Sequence, residues 1–134
     1  MSSQKPAVVA KRDAGYFDQW YAVMTTSPVR DAIVARALGL PPELQSTSLL
    51  TWQGIAEMTE ELRMPQDGLL LDLACGRGGY GIEVARRTGA RLLGVDFSSV
   101  ALGGWCFSRV ADPADVVAWD NDNDGFVVCL GGSR

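Results

Sequence analysis

The sequence predicts an α/β fold in which a partial sheet of parallel strands with flanking helices follows an N-terminal helical cap. Apolar residues recur at helical spacing in the first part of the chain, whereas short apolar runs begin at residue 69. A strand, a glycine-rich turn, a helix and a second strand then follow within about 30 residues, and such a βαβ unit has parallel strands. We therefore predict a helical cap over 1–64 and an α/β core over 65–134, atypical after about residue 102.

Three helices are predicted in the cap. The first covers 13–25, where one face at helical spacing carries Tyr16, Phe17, Trp20, Tyr21 and Met24. The second has Pro28 in its first turn and ends at Gly39, as the backbone preferences of these residues favour. The third begins after a capping hydroxyl, for which Thr47 and Ser48 are the candidates.

Three aromatic side chains of the first helix admit two interpretations. Tyr16, Phe17 and Trp20 share one face at helical spacing. We predict that they are core residues, because an aromatic stripe usually packs against other elements. The alternative is that they form a lid over a bound ligand.

The core begins with Leu69–Leu73, an apolar run that only Asp72 interrupts and that predicts a buried strand. A glycine-rich turn covers 76–81, and a helical stretch over 80–88 follows it. The next short strand ends at Asp96. This order places both acids at the carboxyl ends of neighbouring parallel strands.

The turn matches the pattern G-x-G-x-x-G, and Asp96 lies 20 residues after its first glycine, Gly76. Glycines between a strand and a helix let the backbone approach a ligand, and an acid at the end of the next strand can bind a ribose diol. These residues alone are compatible with NAD and with S-adenosylmethionine.

Asp72 favours S-adenosylmethionine. A dinucleotide places its pyrophosphate at the start of the helix, where a nearby carboxylate would repel it. S-adenosylmethionine has no phosphate and carries a sulfonium and an ammonium group, both of which attract a carboxylate. An acid in an apolar strand also needs such a partner, because burying it alone is unfavourable.

Two runs resemble motifs of class I S-adenosylmethionine-dependent methyltransferases. LLLDLACGRG over 69–78 resembles their first motif, and GVDFS over 94–98 resembles their second. The resemblance covers about 30 residues strongly. It implies a Rossmann-like sheet, S-adenosylmethionine as the cofactor, and methyl transfer to a small-molecule acceptor.

The resemblance also implies the cofactor-binding residues. At the methionine end they are Asp72, Ala74, Gly76 and Gly78, with Cys75 between them. At the ribose and adenine they are Asp96 and Phe97. We interpret Cys75 as a small packing residue rather than a nucleophile, because the chain has no histidine to activate it. Arg77 could meet the methionine carboxylate, but we predict a solvated turn residue.

The remaining 38 residues are too few for the seven-stranded sheet of these enzymes, since one strand–helix unit uses about 30. We therefore expect a truncated domain without identifiable acceptor-side residues, in which no catalytic residue is predicted and activity is uncertain. By resemblance, 107–112 matches the third strand, with Asp112 near the adenine amine, and 125–130 matches the fourth.

Two alternatives remain for this tail. Sequence after about residue 102 would be unrelated to the family if the reading frame were altered. Residues 116–119 and 126–130 could instead pair as a simple hairpin. The functional alternatives are a non-catalytic cofactor- or partner-binding remnant and, less favoured, an NAD-binding fragment.

Composition excludes several classes of function. The net charge of −4 gives no basic face for nucleic acid. The lack of histidine and of any CxxC pair argues against a metal site, and the run over 120–125 matches only the first half of an EF-hand loop. Three widely spaced cysteines and no apolar leader or membrane-length run predict a soluble cytoplasmic protein.

A partial sheet has further consequences. Its edge and one apolar face would be uncovered. We therefore expect marginal stability and self-association through the uncovered sheet.

Overall fold

A computed structural model describes residues 13–24, 27–44, 48–102, 116–118 and 127–131. The chain combines helices and strands around one sheet, which confirms the α/β class. The elements are α1 (Ala14–Met24), α2 (Pro28–Leu38), α3 (Trp52–Leu62), β1 (Leu69–Leu73), α4 (Gly79–Thr88), β2 (Arg91–Asp96), β3 (Val116–Ala118) and β4 (Val127–Gly131).

The predicted parallel pair is present. β1 pairs with β2 in parallel, with Leu69 opposite Arg91 and Leu73 opposite Val95, and α4 connects the two strands. Because parallel strands share a direction, the residues that follow β1 and β2 meet at one edge of the sheet. This edge carries the predicted site.

The rest of the described sheet is antiparallel. The strand order is β1-β2-β4-β3, and β4 runs antiparallel to both β2 and β3. The hairpin alternative is therefore confirmed, and the interpretation of 125–130 as a further parallel strand is wrong, because β4 runs against β2. Residues 107–112, including Asp112, and 120–125 lie outside the described residues.

Helix ends follow local chemistry. Pro28 begins α2, and Gly39 ends it with φ 67° while its N–H donates to Arg36 O. α3 begins after Thr51, whose Oγ1 accepts the Gly54 N–H at 3.0 Å. The prediction of Thr47 or Ser48 as the cap is wrong, because Thr51 has the extended backbone and the side-chain bond of an N-cap.

Two apolar clusters place α4 at the centre of the described chain. Ala35, Leu40 and Ile55 pack with Val84 of α4, which joins the helical region to the core. The next residue of α4, Ala85, packs with Leu92 of β2 and with Leu102. Neither cluster includes a residue of α1.

The predicted helical face of α1 is only partly buried. Tyr16 and Trp20 are 46% and 38% exposed, so their prediction as core residues is wrong. Tyr21 and Met24 are buried instead, and Phe17 is half-buried. The buried side of α1 is therefore the part of the predicted helical face that carries Tyr21 and Met24.

One face of β1 is apolar and exposed, so the prediction of a buried strand is wrong for this face. Leu69, Leu71 and Leu73 are 51%, 51% and 68% exposed, while Leu70 packs against both apolar clusters. The self-association expected from the sequence would use this face and stays a prediction. Within the described parts of the chain, no helix has the length and apolar character needed to span a membrane.

Candidate functional site

The turn between β1 and α4 is tightly folded. Ala74, Gly76 and Gly78 all have positive φ, at 57°, 55° and 73°. The Cys75 N–H donates to Val95 O at 3.1 Å, and the Gly78 N–H donates to Cys75 O at 2.8 Å. The first bond holds the turn against the end of β2, because Val95 of β2 supplies the acceptor, and the second closes the turn on itself.

Asp96 joins the two predicted motifs. It is 7% exposed, and its Oδ2 accepts the Gly76 N–H at 2.7 Å. Its Oδ1 accepts the Ser98 N–H at 2.8 Å. A carboxylate offers about four acceptor positions, so these two bonds leave capacity for hydroxyl donors.

Asp72 lies against the first turns of α4. A Cβ at Gly81 would collide with Asp72 Oδ2 and would lie 3.2 Å from Leu92 Cδ1, so only glycine fits here without displacement. Burial raises the pKa of Asp72 above its ordinary value, and the negative charge of Asp96 raises it further. The third glycine of the motif therefore makes room for the acid that precedes the turn.

A pocket of about 190 Å³ opens beside this turn. Four of the predicted cofactor-binding residues line it, namely Asp72, Ala74, Cys75 and Gly78, together with others that include Arg77 and Tyr80. Gly76 and Asp96 are buried beside the pocket without lining it, and Phe97 is half-buried nearby in the chain. The structure thus brings the methionine-end residues together and places the predicted ribose acid behind the turn.

Arg77 is not a solvated residue. Its side chain is only 9% exposed, and its Nη1 lies 2.7 Å from Oδ2 of Asp31 on α2. The prediction of a solvated turn residue is wrong, because an acid of the helical region pairs with this guanidinium. The charge of Arg77 is thereby balanced, and among the described residues that line the pocket Asp72 is the acid without an ion pair.

Cys75 is a poor nucleophile. Burial raises its pKa to about 12, and the negative charges of Asp72 and Asp96 add to this effect. The thiolate is the reactive form, so this thiol is neutral and inert near neutral pH. This agrees with the interpretation of Cys75 as a packing residue.

Some polar contacts of the site have no local sequence pattern. Tyr80 Oη donates to Leu50 O at 2.9 Å, which connects α4 to the segment before α3. Ser98, fully buried, donates its hydroxyl to Asp18 of α1 at 2.6 Å. Nothing near Asp18 or Leu50 in the chain indicates these partners.

No protein-family model, curated protein or solved structure matches this chain. The observations that bear on function are therefore the two motifs, over 69–78 and 94–98, and the geometry of the turn. The features that bear on ligand choice are the two acids, the pocket beside them and the paired state of Arg77.

Replacing Ala74 with glycine should stabilise the protein. Ala74 has φ 57°, in the left-handed region that disfavours residues with a Cβ by about 1–2 kcal/mol. The greater freedom of glycine in the unfolded chain offsets part of this gain, so we expect a net increase of about 0.5–1 kcal/mol. Chemical denaturation of Ala74→Gly against the wild type measures it, and a decrease in stability would contradict the strained geometry.

Asp72 should make stability fall as pH rises. Its folded-state pKa lies above 3.8, so the folded chain keeps the proton to higher pH than the unfolded chain. Its stabilising contribution is complete below the unfolded pKa and is lost as pH rises through the folded pKa. We expect Asp72→Asn to be more stable than wild type at neutral pH, and this advantage should disappear on acidification.

Denaturation midpoints of both proteins between about pH 3 and pH 8 provide the measurement. Glu60→Gln is the matched control, since Glu60 is an exposed acid on α3. A pH-independent difference between Asp72→Asn and wild type would contradict the raised pKa of Asp72.

Proposed function

We propose that this chain binds S-adenosylmethionine at the turn between β1 and α4 and acts as a methyltransferase on a small-molecule acceptor. The observation that carries the proposal is the pair of acids, Asp72 and Asp96, at the ends of neighbouring parallel strands on either side of a glycine-rich turn. We also propose that the βαβ unit is part of a Rossmann-like sheet.

The charge of the site supports a cationic ligand. Asp72 lines the pocket and makes no ion pair with another described residue, whereas the nearby Arg77 is paired with Asp31. The Asp96 carboxylate also raises the pKa of Asp72, which shows that both charges act on the same region. A sulfonium and an ammonium relieve this repulsion, while the pyrophosphate of NAD would add to it.

The residues fit the two ends of S-adenosylmethionine. The pocket at Asp72 is smaller than the roughly 300–1,000 Å³ of typical small-molecule pockets, as expected if it takes only the methionine end. Asp96 would hold the ribose through its remaining acceptor positions, with Phe97 beside the adenine. Glycines at 76 and 78 keep side chains out of the space between these ends.

When bound, S-adenosylmethionine supplies an electrophilic methyl group for an acceptor nucleophile. The residues of this turn would orient it by charge and hydrogen bonding, which is how binding sites lower the barrier of such transfers. A small-molecule acceptor is proposed rather than nucleic acid because the chain is acidic. Three widely spaced cysteines without a disulfide pattern suit the reducing cytoplasm, which we propose as the location.

Calorimetric titration with three ligands tests the proposal. S-adenosylmethionine and S-adenosylhomocysteine differ by the sulfonium charge, and NAD has the same ribose with phosphates instead. We expect both adenosyl ligands to bind and NAD not to bind. In Asp72→Asn the preference for the sulfonium ligand should shrink, because the amide removes the attracting charge.

The contrary outcomes are distinct. Absence of binding at high micromolar S-adenosylmethionine would refute the cofactor site, and binding of NAD alone would favour a dehydrogenase fragment. Unchanged discrimination in Asp72→Asn would remove the role of Asp72 while leaving the site.

A second candidate is a cofactor-binding module without transfer activity. The observation that favours it is the antiparallel β4 beside β2, because acceptor residues of the resembled enzymes follow later parallel strands. Binding of S-adenosylmethionine without methyl transfer to any of a panel of acceptors would support this candidate over the methyltransferase.

A further inference from the structure

Ser98 connects Asp96 to the N-terminal helix. Its N–H donates to Asp96 Oδ1 at 2.8 Å, and its hydroxyl donates to Asp18 Oδ1 at 2.6 Å. Its Oγ also accepts the Ala101 N–H at 3.1 Å. Ser98 is 0% exposed, so its position is set by these partners, and the orientation of Asp96 depends on it.

Asp18 makes a second bond to the same segment. Its Oδ1 also accepts the Val100 N–H at 3.2 Å, so one carboxylate oxygen of α1 receives two donors from the residues after β2. Hydrogen bonds to a charged acceptor are among the stronger ones in proteins. These bonds therefore attach α1 to the segment after β2 through polar contacts, in addition to the burial of Tyr21 and Met24.

We infer that Asp18 is a positioning residue for the adenosine end of the site. It acts through Ser98, which fixes one oxygen of Asp96, while the Gly76 N–H fixes the other. With both oxygens held, the remaining acceptor positions of Asp96 have a set direction before any ligand binds. This inference rests on the proposed function, since it assigns Asp96 to the ribose.

Three variants of α1 test this role by calorimetry with S-adenosylhomocysteine. Asp18→Ala removes both bonds and should weaken affinity about tenfold, whereas Asp18→Asn keeps an acceptor oxygen and should stay within about threefold of wild type. The matched control is Gln19→Ala, the adjacent exposed residue, which should leave affinity unchanged. Equal affinity of wild type and Asp18→Ala would overturn the inference.

A double-mutant cycle separates positioning from general destabilisation. If Asp18 acts through Asp96, Asp18→Ala should weaken binding much less in an Asp96→Asn background than in the wild type. If it only stabilises the fold, the two losses should add, and additive losses would overturn the inference. Should Asp18→Ala fail to fold, Ser98→Ala removes the connecting hydroxyl and takes its place in the cycle.

The controls also distinguish this inference from the proposed function. Wild-type protein that binds no adenosyl ligand would refute both. The positioning role alone would be refuted if the wild type binds, Asp18→Ala binds equally tightly, and the Val100 N–H exchanges faster in Asp18→Ala than in the wild type. The faster exchange would mean that the bond is broken without effect on the site.

Discussion

Asp96→Ala is expected to lower the affinity for S-adenosylmethionine by at least about 100-fold. The substitution removes the proposed acceptor of two ribose hydroxyls, and each hydrogen bond to a charged group contributes about 1.5–3 kcal/mol. It also leaves the Gly76 and Ser98 amides without their carboxylate acceptor, which loosens the turn from the end of β2. Calorimetry on the folded variant gives the change in affinity.

Two further measurements make this result specific. Thermal unfolding of Asp96→Ala shows whether the variant is folded at the temperature of the titration, since loss of both buried bonds also lowers stability. Glu60→Ala removes an exposed acid elsewhere and should bind like wild type. Wild-type affinity in a folded Asp96→Ala would exclude Asp96 from the ribose site.

Gly81→Ala is expected to destabilise the protein although alanine is the better helix former. In an exposed helix the change should stabilise by up to about 1 kcal/mol. At position 81 the new Cβ would collide with the Asp72 carboxylate and press on Leu92, and such overpacking costs about 1–3 kcal/mol. Because Asp72 would have to move, affinity for the sulfonium ligand should fall as well.

The control for this prediction is a glycine at which an added Cβ would make only ordinary van der Waals contact. A Cβ at Gly15 of α1 would lie 3.5 Å from its nearest neighbouring atom, Asp13 Oδ1, so Gly15→Ala should be neutral or stabilising. In an Asp72→Ala background, Gly81→Ala should be less destabilising, because the colliding carboxylate is absent. If Gly81→Ala lowers stability equally in both backgrounds, the collision with Asp72 is not the cause of the loss.

The sequence was sufficient to predict what local spacing determines. β1 and its glycine turn are predictable because an apolar run next to glycines leaves few other conformations, and all the predicted methionine-end residues except Gly76 line one pocket. Asp72 was singled out because an acid within an apolar strand needs a reason. These features depend on residues that are close to one another in the sequence.

Contacts between distant segments were not predictable in this way. Asp18 and Ser98 are 80 positions apart, and Arg77 meets Asp31 across 46 positions. The direction of β4 likewise depends on which strand edge it reaches, and the same apolar run suits either direction. The aromatic stripe of α1 led to a wrong prediction of burial for the same reason. Which side of a helix is buried depends on the segment that packs against it.

The register of the sheet has a consequence for the order of assembly. β1 and β2 pair residues that are close in the chain, as Leu69 with Arg91, whereas β2 and β4 join more distant ones, as Leu92 with Gly131. Closing the shorter loop loses less chain entropy, so the βαβ unit should form early in folding. The turn between β1 and α4 would then exist before the hairpin and α1 are added, and α1 would reach Ser98 as one of the last steps of folding.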